Sequence, residues 1–170
     1  TNFDCDDIVA FPSSTSLNFE GNGHIEIDGS SPLDFGGSKG FTFEAQIHPR
    51  SNANAYVLSK TLGGASWPNK LTSVAFINAN NQLTFGINRF TNGGWTYLNS
   101  PLNSISLNEW QHVAVSYDPP SSTMKIYIKG AEVASTTLNT INPDASPGIL
   151  KIGASENGSN QFDGYMEDFR

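Results

Sequence analysis

Two tryptophans sit in company that could bind a polar ring. Trp67 lies between Ser66 and Pro68 in a glycine-rich stretch, and Trp95 directly follows Asn92-Gly93-Gly94. An indole face stacks on the apolar C–H face of a sugar, while neighbouring amides and guanidinium groups fix its hydroxyls by hydrogen bonds. Trp67, Asn69, Arg89, Phe90, Asn92, Trp95 and Tyr97 therefore form the predicted ligand-binding set. The alternative for each loop tryptophan is that it pins its loop to the core. Other chemistries find less support. His24, His48 and His112 contain no short-spaced pair of the kind zinc sites use. Cys5 is the single cysteine, which rules out an internal disulfide and leaves a thiol nucleophile without an evident histidine partner. Asp4, Asp6 and Asp7 lack the glycine and terminal glutamate of a calcium loop. The cluster Gly36-Gly37-Ser38-Lys39-Gly40 does not run Gly-Lys-Ser/Thr into a helix, so it is no phosphate loop.

The elements that must position these residues read as short strands. The stretch 107–135 alternates clearly: Val113, Val115 and Tyr117 against His112, Ala114 and Ser116, then Met124, Ile126 and Ile128 against Lys125, Tyr127 and Lys129. Pro119-Pro120 interrupts the ladder, and Lys129-Gly130 supplies a tight turn. Phe41 to His48 puts Phe41, Phe43, Ala45 and Ile47 on one face and Thr42, Glu44, Gln46 and His48 on the other. Further strands are expected at 17–19, 24–27, 56–60, 71–77, 82–88, 95–98, 132–136, 149–154 and 162–170, with a short edge strand or linker at Ile8–Phe11. More than ten short strands and no amphipathic helix predict two packed antiparallel sheets. The outward residues Glu44, Gln46, His48, His112, Lys125 and Tyr127 could line a shallow groove, although alternation alone cannot say that their strands adjoin.

A chain of 170 residues is one domain by default and buries roughly 70% of its unfolded surface. The net charge of −7 with 9 Lys+Arg argues against nucleic acid and against an electrostatic hold on anionic membranes. No apolar run reaches the ~18 residues of a membrane span. The absence of an initiator methionine points to a piece of something larger.

Asn108-Glu109-Trp110-Gln111-His112-Val113-Ala114-Val115-Ser116-Tyr117-Asp118, followed by Met124-Lys125-Ile126-Tyr127-Ile128-Lys129-Gly130, resembles a recurrent segment of laminin G-like domains in the concanavalin A-like lectin/glucanase superfamily. Leu17-Asn18-Phe19-Glu20-Gly21, Phe41-Thr42-Phe43-Glu44-Ala45, Leu150-Lys151-Ile152-Gly153 and Phe162-Asp163-Gly164-Tyr165-Met166-Glu167-Asp168 resemble further segments of that family, in its order. The resemblance implies an all-β antiparallel β-sandwich, a concanavalin A-like jelly roll over 17–170, preceded by an extension or linker over 1–16. It places Trp110 in the core. It also implies a structural calcium ion held by Glu20, Ser38 and Asp168, where the first strands meet the last.

Because the superfamily includes enzymes, two catalytic patterns are relevant. Endoglucanases of similar fold carry Glu-x-Asp-x-x-Glu on one strand, so that a nucleophile and an acid share a face. Here Glu26-Ile27-Asp28 matches two positions and Ser31 replaces the third. Jelly-roll lyases use Gln-Ile-His; Gln46-Ile47-His48 matches, but no companion Arg- or Tyr-bearing segment accompanies it. The expected function is thus a non-catalytic, lectin-like carbohydrate-binding module of a larger secreted or cell-surface protein. The alternative is a protein–protein adhesion module with a polypeptide ligand, and the third reading is a glycan hydrolase or lyase. Asn157-Gly158-Ser159 is the sole glycosylation sequon.

Overall fold

The computed structural model describes residues 16–28, 40–61, 71–89, 94–138 and 148–170. The acidic N-terminal stretch with Cys5, the strand expected at Ile8–Phe11, and Ser38, Trp67, Asn69, Phe90 and Asn92 lie outside the described residues.

Among the described residues there are twelve strands and no helix. In chain order they are β1 (Leu17–Glu20), β2 (Ile25–Ile27), β3 (Phe41–Pro49), β4 (Ala55–Thr61), β5 (Leu71–Ile77), β6 (Leu83–Arg89), β7 (Gly94–Asn99), β8 (Gln111–Asp118), β9 (Thr123–Ile128), β10 (Ala131–Thr137), β11 (Leu150–Ile152) and β12 (Asp163–Glu167). They make two six-stranded antiparallel sheets. The first has the order β1-β12-β3-β8-β9-β10 and the second β2-β11-β4-β5-β6-β7.

Alternation delivers the core. From the first sheet Ala45, Ile47, Val113, Val115, Tyr117, Met124, Ile126 and Met166 point inward. From the second come Ala75, Ile77, Leu83, Phe85, Ile87, Leu150 and Ile152. A register shift between Tyr56 and Leu58 lets the consecutive Val57 and Leu58 both join them, which resets the outward face of β4 to Ser59. Burying a side chain of this kind is worth about 1.5–3 kcal/mol, so the paired inner faces supply the main cohesion of the sandwich. The β9–β10 hairpin closes as expected: Lys129 and Gly130 both take positive φ (52° and 78°), as a two-residue turn matched to strand twist demands.

One core assignment is corrected. Trp110 is 43% exposed. Its neighbour Gln111 takes the inward position at the start of β8, where its side-chain amide donates to the Ser106 carbonyl at 2.7 Å and its oxygen accepts from the Ser106 N–H at 3.3 Å. With Gln111 inward, alternation turns Trp110 outward, where it meets the rings of His48 (centroids 5.5 Å apart) and Tyr165 (6.4 Å).

Candidate functional site

β7 is an edge strand of the second sheet, and its outward residues are Trp95, Tyr97 and Asn99. The rings of Trp95 and Tyr97 stack at 5.5 Å between centroids and 10° between planes. Opposite Tyr97 on β6 stands Gly86. A Cβ there would lie 2.6 Å from the tyrosine ring, so the missing side chain is what lets the ring rest against the sheet. Beyond Gly86 comes Val74 of β5, then the outward surface of β4. Phe76 meets Tyr97 edge to face at 6.5 Å and stacks on Tyr56 at 5.0 Å and 15°. Four aromatic rings thus cross the outer face of the second sheet, and β6 contributes none because the row passes over Gly86.

The polar side of this row is the β11–β12 connection. The Tyr56 N–H donates to the Asn160 carbonyl at 3.0 Å, and the Ser59 hydroxyl donates to the Ala154 carbonyl at 2.9 Å, which seats the loop along β4. Within it, the Asn157 side-chain oxygen accepts from the Ser155 hydroxyl at 2.8 Å and from the Ser159 N–H at 2.9 Å. Asn and Ser favour such local side-chain closures. Between loop and rings lies a depression of about 260 Å³, lined by Tyr56, Val74, Trp95, Tyr97, Ser155, Glu156, Asn157, Ser159 and Asn160. Burial, then the Glu156 carboxylate and the Tyr97 phenol, push the Tyr56 hydroxyl up to about 12, and burial also raises that of Tyr97.

Of the predicted ligand set, the structure therefore brings Trp95 and Tyr97 together on one surface. Arg89 ends β6 opposite Gly94, at the same end of the sheet as Trp95. Tyr56 and the polar residues of 155–160 were not in that set. Local patterning marked the loop only through its run of Asn, Gly and Ser, and its place beside β7 depends on strand pairings remote in sequence.

Two of the three expected calcium ligands, Glu20 and Asp168, fall within the described residues. Glu20 pairs with Asp163 at one end of β12, whereas Asp168 follows its other end. Glu20 accepts from Asn18 at 3.2 Å, and among the described residues no group of three or more His, Cys, Asp or Glu could hold a metal.

On the first sheet, the residues expected along its outer face do adjoin. Gln46 pairs with His112, and Ala114 lies between Glu44 and Tyr127. Their charges are largely engaged with one another: His112 with Glu44 at 3.2 Å, Arg170 with Glu44 at 3.4 Å, and Lys125 with Glu132 at 2.8 Å. The two catalytic patterns fare similarly. Lys151 lies 2.7 Å from Glu26 and His24 lies 3.1 Å away, and both hold its carboxyl below the usual range, the opposite of what a general acid needs. His48 of the Gln-Ile-His tripeptide packs against Trp110 and Tyr165.

Solved structures share this fold at low identity. The CBM40 module of the Ruminococcus gnavus IT-sialidase, bound to α2,3-sialyllactose, superimposes with a TM-score of 0.72 at 12% identity, covering 89% of this chain and 88% of that one. A mutant NanB sialidase from Streptococcus pneumoniae gives 0.75 at 17% identity, covering 91% of this chain and 25% of the sialidase. The leech intramolecular trans-sialidase gives 0.73 at 11%, over 91% of this chain and 24% of that one. A search of curated proteins returns no match. A laminin G model described as concanavalin A-like lectin/glucanases matches residues 19–170, and with the two six-stranded sheets above, it shows that the chain belongs to the concanavalin A-like lectin/glucanase superfamily.

Proposed function

We propose that this chain is a non-catalytic carbohydrate-binding module of a secreted or surface protein. The observation that carries this reading is the stacked Trp95–Tyr97 pair, beside the depression rimmed by Ser155, Glu156, Asn157, Ser159 and Asn160. A pyranose stacked on those rings would present its hydroxyls to the polar rim, the combination of apolar platform and few oriented polar groups that sugar sites require. Fold-mates that include the module seen with sialyllactose support the same class of activity. The Glu26–Lys151 ion pair and the aromatic packing of His48 support a binding role rather than bond cleavage.

The test is a glycan array with the purified chain, repeated with Trp95→Ala and Tyr97→Ala. Binding to one glycan class, lost by at least about tenfold in both variants while the melting temperature holds, is the expected result; stacking on an aromatic ring is worth about 0.5–1.5 kcal/mol beyond its buried area. Retention of full binding by both variants would move the site elsewhere. One feature favours a polypeptide partner as a second reading. Trp110 projects from the first sheet beside Tyr165, and Trp and Tyr are enriched in interface anchors. Capture of a specific protein that Trp110→Ala abolishes would support it.

A further inference from the structure

Resting on that reading, we infer that Glu156 sets the ligand class: the depression takes a neutral sugar, whose hydroxyls Glu156 accepts, and discriminates against acidic sugars. Glu156 is half-buried and lines the depression with Tyr56, Trp95 and Tyr97. The charges of most described cations are engaged elsewhere: Arg50 with Asp163, Lys125 with Glu132, Lys151 with Glu26 and Arg170 with Glu44. Lys60 is buried and donates to the Gly148 carbonyl, and Lys129 sits in the β9–β10 turn of the other sheet. Among the side chains described, the one charged group that lines the depression is the Glu156 carboxylate.

An ionised carboxylate accepts only, with two oxygens that suit a pair of adjacent hydroxyls. Such charge-assisted bonds are roughly twice as strong as neutral ones. A carboxylate on the sugar would instead face a like charge at short range, in a place where burial weakens solvent screening. The volume of about 260 Å³ limits the seated part of the ligand to a small unit. The net charge of −7 adds to the same discrimination at longer range.

The experiment is an array of neutral oligosaccharides, each paired with its sialylated or uronate-bearing form, read with the wild-type chain and with Glu156→Gln. The expected result is binding to neutral members, with their acidic counterparts weaker by about tenfold or more. In Glu156→Gln, neutral binding should fall by about tenfold, and the acidic penalty should shrink towards parity. Raising the salt should shrink the wild-type penalty as well. Acidic members binding as tightly as neutral ones, or neutral binding left within twofold by Glu156→Gln at unchanged melting temperature, would overturn the inference and leave the carbohydrate reading standing. A blank array would overturn both.

Discussion

At position 86 a single hydrogen atom separates the β6 backbone from a tyrosine ring. Gly86→Ala should push the Tyr97 ring off the sheet and tilt it away from Trp95. Sugar affinity is expected to fall by about tenfold, whereas stability should fall by only about 1 kcal/mol, the lower end of overpacking costs, because Tyr97 is 49% exposed and can move outward. Isothermal titration beside thermal melts separates the two. Tyr56 gives a second residue-scale expectation. Burial pushes its phenol up to about 12 from the ordinary tyrosine value of 10.0, so the folded state holds the proton that the unfolded state gives up. That contribution is fully present below pH 10 and is lost as pH rises from 10 to 12. Denaturant titrations across this window should show a steeper loss for the wild type than for Tyr56→Phe. Equal slopes would mean that Tyr56 is not held protonated. The pairing of Trp95 with Tyr97 was legible, since period-two alternation puts them on one face. The exposure of Trp110 was not, because it follows from the bonds Gln111 makes to Ser106.

Among the elements, the β1–β12 pair separates two carboxylates that sequence resemblance had placed together. Glu20→Ala and Asp168→Ala should therefore act independently: their effects on the free energy of unfolding, with and without chelator, should add to within about 0.5 kcal/mol. A large coupling that only chelator removes would restore a shared ion. The β8–β9–β10 meander shows the opposite case, where local pattern sufficed. Alternation marked its inward residues, and Lys129-Gly130 marked its turn, so every strand there lies where it was expected. Within this meander Ile126→Ala should cost about 2–5 kcal/mol, since Ile126 is wholly buried. Trp110→Ala, on the surface, should cost far less. The β11–β12 loop lies between these cases. Its sequence announces a turn, but only the seating of Ala154 and Asn160 on β4 makes it one wall of the depression.

For the whole molecule, the two-sheet architecture was readable because each strand carries its own apolar face. Which strands would be neighbours was not, apart from the hairpins, because those pairings join segments far apart in the chain. The proposed site inherits that difficulty, drawing Tyr56 from β4, Trp95 and Tyr97 from β7 and its rim from 155–160. The same topology has a consequence in time. Among the described strands β1 pairs only with β12, and β2 only with β11, while β12 also stands between β1 and β3. Neither sheet can be completed until the final strands have left the ribosome, so the earlier strands must wait with their edges open. A fold dominated by such distant pairings collapses late and slowly, on the millisecond-to-second scale. During synthesis, the half-made sandwich is the state in which this chain is most prone to aggregate.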